Sequence, residues 1–516
     1  MNYADLFHVT LPETALELAA LLVLIVDLAF LRKASARTRA ASAAILGIAG
    51  CVASMLAIGA QTGAGLYASD ALVLVNGGAT AVAQMGILAL TVVTLLLLSD
   101  AGFTRHVGEF VAVILMSASG GLIISAAQDL LVIFIGLELL SIGLYILTAF
   151  AKKSGKSAES ALKYYLFGGM SAAFLLFGFS YLYGLSGSTY LPRVILGTYM
   201  ASAHGATPML YMALVMVAAG LGFKVAAFPF HLWAPDAYEG APAPAAAFIA
   251  SVSKVASFAL LISISYVTLH FIESFHVSQS YVTFTVYKAG DPQPQMARGF
   301  ITAWPALLMA ISFASMIAGN LAALAQTSVR RLLAYSAIAH AGYVLLGLAF
   351  FSWWPRSSQA ILYYVLTYGL TTIGAFGVVA VVEKATGSDK LDAFLGLSKK
   401  NPLIAAVLLV LFLSLAGIPP LVGFWAKFNL FAAVLSAGGT SGTALFLVAL
   451  AVAMSAVSLY YYLQVLKRAY VMPAADETPI QAGALTTTVL VLIAAAVVVL
   501  GVFPQILDAW IAGFYR

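Results

Sequence analysis

The sequence predicts an all-α polytopic membrane protein with about fourteen transmembrane helices. Of the 516 residues, 62% are hydrophobic and only 9% are charged, and the mean hydropathy is +1.01. Soluble domains carry roughly 25% charged residues, so this much apolar surface indicates helices packed in lipid. Apolar stretches of about 20 residues, enough to cross a hydrocarbon core of about 30 Å, recur along the whole chain. We therefore expect one integral membrane domain over residues 1–516 and no soluble domain.

The predicted spans follow one another with short connections. They cover about 12–31, 40–60, 77–99, 109–127, 129–151, 158–185, 206–230, 242–272, 301–325, 330–351, 358–383, 401–433, 442–470 and 485–514. Lipid cannot satisfy open backbone groups, so only helices and closed barrels span it. Barrel strands would be alternating segments of about ten residues, and these runs are continuous and longer. One long loop, about 273–300, contains an alternating run that ends in turn residues, which is typical of either a small β-hairpin or an irregular loop.

The basic residues test this count, because cytoplasmic loops of membrane proteins are enriched in lysine and arginine. With the N-terminus outside, the odd-numbered loops face the cytoplasm and hold sixteen basic residues, against five on the opposite side. The other four of the 25 lie within predicted spans. The asymmetry persists to the end of the chain, which predicts fourteen spans with both termini outside.

The N-terminus and the cysteine content exclude several classes of protein. Residues 1–18 lack a basic n-region and include Glu13 and Glu17, unlike a secretory signal. The single cysteine, Cys51, excludes intrachain disulfides, thiolate-ligated clusters and CxxC haem attachment. No cofactor or metal site is expected. The net charge of +5 sits mostly in short loops, where it indicates topology rather than nucleic-acid binding.

Ionisable residues inside the spans are the strongest functional signal. Lys254 is central in span eight among small residues, and Glu138 is central in span five. A charge at mid-bilayer costs about 2.5–3.5 kcal/mol on insertion scales, and such residues usually mark an ion path. Lys163, one turn inside span six, has a plausible counter-charge in Glu138. The alternatives are a structural ion pair for Lys254, a packed protonated carboxyl for Glu138 and a lysine that reaches the interface for Lys163.

Two further lysines stand beside prolines that interrupt a span. Lys224 precedes Pro229 in span seven, and Lys427 follows Pro419 and Pro420 in span twelve. Proline breaks the helical hydrogen-bond ladder, and backbone groups freed at membrane depth must face protein or water. A charged residue at a broken helix is a recurring way to build an ion site. Each break taken alone could instead be a kink with an incidental charge.

The two broken spans are five apart, which predicts two five-helix repeats, spans 4–8 and 9–13. Repeat one covers about 109–272 and repeat two about 301–470, with spans 1–3 at about 12–99 and span 14 at about 485–514 outside them. An odd number of helices per copy inverts the second copy in the membrane. Inverted repeats with paired broken helices are typical of transporters.

These residues suit proton transfer. Burial disfavours the charged form of a lysine or carboxyl group, and a nearby opposite charge favours it. A lysine that gains and loses a counter-ion can therefore carry protons between waters and polar links. His340, central in span ten, is a candidate link or a structural hydrogen-bonder, and His231 is a weaker candidate. Asp27 and Glu383 lie near span ends, where an interfacial position is expected.

The sequence resembles a known family, the proton-translocating antiporter-like subunits of respiratory complex I and the related Mrp antiporters. Three segments carry the resemblance: FKVAAFPFHLWAPDAYEGAP at 223–242, SLAGIPPLVGFWAK at 414–427 and RRLLAYSAIAHAGY at 330–343. The intramembrane Glu138 fits as well. Within the family, Lys427 and a chain that stops after span fourteen resemble the N-type subunits rather than the M-type or L-type.

The resemblance implies a hydrophilic axis along the membrane mid-plane and a role for each residue on it. Glu138 would be the essential carboxylate, Lys224 the lysine it modulates, Lys254 the central relay and Lys427 the exit-side carrier. Lys163 matches a lysine often found in span six.

The resemblance also implies partners. FMN and iron–sulfur clusters would lie in other subunits of an NADH:quinone oxidoreductase in the bacterial cytoplasmic membrane, and energy would arrive from partner subunits. The neighbouring membrane subunits would be of the M-type and the small K-type. The alternatives are a subunit of an Mrp-type cation/proton antiporter, a solute transporter with a mid-plane pocket and a structural scaffold. A solute site would need a substrate-shaped pocket, whereas the polar groups here are ionisable and spread over several helices.

Overall fold

The computed structural model describes residues 7–63, 74, 77–98, 103–203, 206–282, 299–351, 356–439, 441–473 and 478–515. Across these residues the chain is helical, and its only β-structure is three isolated bridges. Twelve of the described helices are long and apolar enough to cross a membrane. The two other predicted spans are built from shorter helices, so the predicted all-α polytopic fold is confirmed.

The helices follow the predicted order. Spans two to six are Ala36–Gly63, Gly78–Leu98, Val107–Ala126, Leu130–Thr148 and Gly155–Ser186. Spans nine to eleven, thirteen and fourteen are Gly299–Leu324, Val329–Ala349, Arg356–Thr386, Gly442–Tyr470 and Ala484–Val502. Span one is Leu11–Ile25, which continues into the π-helical turn Val26–Phe30.

Spans seven and twelve are interrupted at their prolines, as predicted. Span seven runs over Thr207–Lys224, and a separate helix, Trp233–Gly240, follows the break. Span twelve consists of Pro402–Ala416 and Val422–Gly438. Cis peptide bonds precede Pro229 in the first break and Pro420 in the second. The two lysines lie on opposite sides of their breaks, since Lys224 ends the first half of its span and Lys427 belongs to the second half.

Matching contacts in the two predicted repeats support their equivalence. Asp129 caps span five and Ser328 caps span ten, each through a side-chain oxygen that accepts a backbone N–H. The next residue in each case pairs with the segment after the following span. Leu130 N–H donates to the Thr189 carbonyl and Val329 N–H to the Asp389 carbonyl, both at 2.9 Å.

A close glycine contact between neighbouring helices also occurs at matching positions of the two repeats. A Cβ on Gly120 would lie 2.6 Å from the Leu140 nitrogen, and one on Gly319 would lie 2.5 Å from the Ala339 nitrogen. Gly319 and Ala339 each lie 199 positions after their counterparts, as Ser328 lies after Asp129. Small residues let membrane helices approach closely, because lipid supplies no hydrophobic drive between them. The first two spans of each unit therefore cross at the same backbone contact.

Three features depart from the sequence prediction. Span eight is not continuous: Ala243–Ala250 ends at Ser251, and a second helix runs over Val252–Val282. The last span ends at Val502, and Gln505–Gly513 is a separate helix after Pro504, since proline removes the donor that would continue the ladder. An unpredicted helix, Leu191–Ala203, precedes span seven.

The hairpin predicted in the loop at 273–300 falls largely outside the described residues. The helix that ends at Val282 occupies the beginning of that loop.

The glycine contact between spans nine and ten predicts a steric effect on stability. Gly319→Ala should destabilise the protein by about 1–3 kcal/mol, because the new methyl group meets backbone rather than a movable side chain. Thermal unfolding of the purified protein in detergent measures the change. Gly59→Ala is the control, since Gly59 has open space around its Cβ position and alanine favours a helix. Equal losses in both variants would contradict the close contact.

Candidate functional site

Glu138 and Lys224 meet between spans five and seven. The Lys224 ammonium lies 3.9 Å from Glu138 Oε1 and donates a 2.6 Å hydrogen bond to Ser141 Oγ. Ser141 follows Glu138 by three residues and so lies on the same helix face. At 3.9 Å the pair is in ionic contact without a direct hydrogen bond, so a small side-chain movement or one water can connect or separate it.

Glu138 also marks where the site reaches the surface of the chain. Its side chain is 27% exposed, whereas Lys224 is buried. Leu131, Ile135 and Ile142 are exposed on the same helix. The carboxylate therefore joins a buried lysine to a face of span five that lipid or another subunit must cover.

Lys254 lies one turn after the unpredicted break in span eight. Its Nζ donates to the Ala337 carbonyl at 2.7 Å and to the Val225 carbonyl at 3.3 Å. Val225 immediately follows Lys224, so the break in span seven supplies one of these acceptors. The Ser251 hydroxyl donates to the Ala247 carbonyl at 2.6 Å across the interruption. No ion pair to Lys254 occurs among the described residues.

His340 and Lys254 are both close to the ring of Tyr368. The Lys254 Nζ is 6.0 Å from the centroid of the Tyr368 ring, and that ring lies 4.7 Å from the His340 ring. His340 Nδ1 shares a 2.7 Å hydrogen bond with the Tyr364 hydroxyl. Its Nε2 has no hydrogen-bond partner in the described part of the chain.

A small cavity adjoins His340 and the break in span twelve. Its lining includes Ser414, Leu415 and Gly423. The space is large enough for about one water molecule. A water there could bond the free His340 nitrogen, and the Leu415 carbonyl at its edge also contacts Lys427.

Lys427 is held by the ends of the interrupted helix. Its Nζ donates to the Ala416 carbonyl at 2.9 Å, to the Leu415 carbonyl at 3.1 Å and to Ser455 Oγ at 2.8 Å. The last carbonyls of a helix have no intrahelical partner, so the break leaves these acceptors available. Gly417 has a φ of 90°, and a Cβ there would lie 3.2 Å from the Lys427 Nζ. Glycine at this position allows both the turn and the approach of the lysine.

Lys163 does not pair with Glu138, which corrects that expectation. Its Nζ lies 2.7 Å from Glu159 and 3.0 Å from Asp236, and its side chain is 42% exposed. Glu138 contacts Lys224 instead, because Lys224 lies beside it at the buried C-terminal end of the helix Thr207–Lys224. Lys163 therefore belongs to an ion-pair network outside the line of buried lysines.

That network, which the sequence did not predict, holds the helix Trp233–Gly240 after the first break. Asp236 accepts from Lys163 and from Arg331 at 2.6 Å, and Glu239 accepts from Arg331 at 3.0 Å and Lys156 at 2.7 Å. Burial opposes ionisation of Asp236, but its bonds to Arg331 and Lys163 outweigh burial and lower the pKa of the carboxyl below its ordinary value. Two acids in APDAYEG and two adjacent arginines at 330–331 were the available signals.

The remaining polar candidates take structural positions. Asp27 is buried and accepts a 2.6 Å hydrogen bond from Arg39 Nε, while Glu383 pairs with the buried Arg330. His231 stacks on Phe228 and its Nδ1 has no partner among the described residues. The described residues hold no group of three or more histidine, cysteine or acidic side chains placed to bind a metal.

Comparison with known proteins gives consistent relatives. The sequence model for "NADH:quinone oxidoreductase/Mrp antiporter, TM" matches residues 127–288 and 293–457. The chain is 45% identical to NADH-quinone oxidoreductase subunit N 2 of Acidobacterium capsulatum, over 99% of both chains. It is 35% identical to NADH-quinone oxidoreductase subunit N of Desulfovibrio desulfuricans, over 98% of this chain and 96% of the relative.

Solved structures share the fold. A chain of respiratory complex I from Thermus thermophilus with bound aureothin is 30% identical, with a TM-score of 0.74 over 96% of this chain and 98% of that one. A chain of the Mrp complex from Dietzia sp. has a TM-score of 0.75 over 98% of both chains, at 20% identity. At that identity the likeness to the Mrp chain concerns the fold alone.

The ion-pair network predicts a pH-dependent contribution from Asp236. Asp236→Asn should lower the free energy of unfolding at pH 7 by about 1–3 kcal/mol, since it removes the ionised acceptor of two charged donors. Because the folded-state pKa is lowered, this stability is present above the ordinary carboxyl pKa of about 4 and is lost as the pH falls through the lower folded value. Thermal unfolding in detergent from pH 7 down to about pH 2 should show the two proteins converging at the acid end, below about pH 4.

Asp392→Asn is the matched control for this experiment. Asp392 is 81% exposed and meets Arg468 at 3.5 Å, and exposed pairs contribute at most about 1 kcal/mol. A loss in the Asp236 variant that stays constant with pH would contradict an electrostatic origin.

Proposed function

Because this chain belongs to the NADH:quinone oxidoreductase/Mrp antiporter transmembrane family, we propose that it is the N-type proton-translocating membrane subunit of a bacterial NADH:quinone oxidoreductase. It acts as part of a translocase and lies among other membrane subunits of that complex, including its M-type and small K-type neighbours. Redox chemistry belongs to partner subunits that carry FMN and iron–sulfur clusters, since a single cysteine cannot ligate such a cluster. We place the chain in the bacterial cytoplasmic membrane with both termini on the periplasmic side, as the loop charges favour.

The observation that carries the proposal is the line of buried lysines at helix breaks. Lys224, Lys254 and Lys427 are each at most 7% exposed, and each donates to a serine hydroxyl or to backbone carbonyls at an interruption. Buried ionisable residues in membrane spans typically serve ion or proton paths. The spread of these lysines over two five-span units supports a relay rather than a single substrate pocket.

The first step depends on the contact between Glu138 and Lys224. A buried ammonium is favoured while the carboxylate is near and disfavoured when it moves away. When the pair separates, a proton leaves Lys224 Nζ as its N–H bond breaks, and an amine beyond it takes up a proton through bridging water. Lys254 is the next amine along the line, since it bonds the carbonyl of the residue after Lys224.

The second half of the path runs from Lys254 to Lys427. Tyr368, Tyr364 and His340 lie between the two lysines, and His340 keeps one ring nitrogen free. A neutral imidazole has one donor and one acceptor nitrogen, so it can pass a proton from one side to the other. The water-sized cavity beside it and the Leu415 carbonyl lead to Lys427. We assign Lys163 to the support of the helix Trp233–Gly240, outside the line of buried lysines.

The Mrp-type antiporter is the competing function, and the fold does not choose between them. The 45% identity to a subunit N over the whole chain favours the oxidoreductase. Affinity purification of the tagged chain from native membranes distinguishes the two. Co-purification of NADH dehydrogenase activity with bound FMN is expected, and co-purification of cation-antiporter subunits alone would overturn the proposal.

The Glu138–Lys224 pair predicts a linked loss of two activities. Glu138→Gln and Lys224→Ala should each lower proton pumping and the coupled electron transfer without loss of the assembled complex. Proton uptake in inverted vesicles and NADH:quinone reductase rates give the two readings. Lys153→Ala, at an exposed loop position, is the control. Normal pumping stoichiometry in the Glu138→Gln or the Lys224→Ala variant would contradict the assigned roles.

The hydrogen-bonded pair of His340 and Tyr364 predicts a separate effect in the second half of the path. His340→Leu should reduce proton pumping several-fold while the complex still assembles, because it removes the two ring nitrogens that lie between Tyr364 and the cavity. Tyr364→Phe should give a smaller loss, since it deletes one hydrogen bond to the ring. His106→Leu serves as the control because His106 is exposed beside Glu109. Pumping that is unaffected by His340→Leu would exclude the histidine from the path.

A further inference from the structure

Span one carries a carboxylate at membrane depth that the lysine relay does not use. Glu17 lies on the exposed side of the helix Leu11–Ile25, and its Oε1 accepts a 3.0 Å hydrogen bond from Ser119 Oγ in span four. A carboxylate accepts about four hydrogen bonds. Ser119 supplies one of them, so the exposed side of Glu17 can bind a further donor.

The depth of Glu17 follows from two helices independently. It is the seventh residue of its helix, which at 1.5 Å per residue places it about 9 Å below that end of the span. Ser119 is the eighth residue from the end of Val107–Ala126, which gives about 10 Å from the same side. The agreement places Glu17 within the hydrocarbon region, where a charged group in contact with lipid is strongly disfavoured.

An apolar ridge continues from Glu17 along the same helix. Its exposed members are Leu18, Leu21, Leu22, Ile25 and Leu28. Their spacing of three and four residues puts them on one side of the helix. The ridge is long enough to pack against a second transmembrane helix, with Glu17 at its edge.

A second carboxyl group lies next to Glu17 but is buried. Glu13 lies one turn before Glu17, is 6% exposed, and its Oε2 has no hydrogen-bond partner among the described residues. Neither carboxyl group forms an ion pair within the described part of the chain. The exposed Glu17, which has no cation beside it within the described residues, therefore favours a positively charged neighbour.

We propose that this ridge, residues 17–28 of span one, docks a transmembrane helix of a partner membrane subunit that places a lysine or arginine against Glu17. The inference rests on the proposed function in one respect, that the chain works in a multi-subunit membrane complex. Intramembrane charges in bundles usually pair with one another, and both basic side chains offer only donors. The ridge supplies apolar contact, and the acid fixes the depth and rotation of the partner helix.

Photo-cross-linking in the intact complex tests the docked partner. A benzophenone amino acid in place of Leu21 should form an adduct with one partner subunit in native membranes. The same probe at Leu56, an exposed apolar position in span two, should form adducts with lipid. Adducts of the Leu21 probe with lipid alone, or with a second copy of this chain, would overturn the proposal.

The chemistry of the partner is tested by charge. Mass spectrometry of the Leu21 adduct should identify a partner peptide with a lysine or arginine, and its absence from that helix would contradict the proposed recognition. Glu17→Gln should reduce the adduct several-fold, and Glu17→Lys combined with the basic residue changed to glutamate should restore it. Glu138→Gln should leave the adduct unchanged, so a failed docking site and a failed proton path give different results.

Discussion

The need to stabilise an amine within the membrane governs the rest of this structure. A buried ammonium needs acceptors, and an intact helix offers few because its carbonyls are already bonded within the ladder. The interrupted spans supply such acceptors. Val225 in the first break and Leu415 and Ala416 in the second present carbonyls to Lys254 and Lys427. Removing the breaks would take one of two acceptors from Lys254 and two of three from Lys427.

The two five-span units share a backbone plan and differ in chemistry. The offset of 199 residues that relates their capping residues and glycines also relates Ser141 to His340 and Glu138 to Ala337. In the first unit the carboxylate and serine meet Lys224. In the second, alanine and histidine take these places, and the Ala337 carbonyl bonds Lys254. Of these equivalent positions, only those in the first unit hold a counter-ion for a lysine. The two ends of the line of lysines therefore differ chemically.

The ion pairs around the helix Trp233–Gly240 join the units at one membrane face. Asp236 binds Lys163 from the first unit and Arg331 from the second. The same short helix begins where the first break ends, so this network fixes the far end of the interrupted segment. The ion pairs and the Val225 carbonyl that bonds Lys254 therefore lie at opposite ends of one short segment.

The sequence by itself determined the class of fold, the number of spans, the two proline breaks and the three buried lysines Lys224, Lys254 and Lys427. Those features depend on local composition, because about twenty apolar residues must be helical in lipid and a proline in a helix interior removes a backbone donor. Only the tertiary structure decided the partners. It paired Lys224 rather than Lys163 with Glu138, and it placed Asp236 between cations from two spans. It also broke span eight at Ser251 without a proline. These outcomes depend on how distant helices pack, and spacing along one helix carries no information about which neighbour its charged side chains will meet.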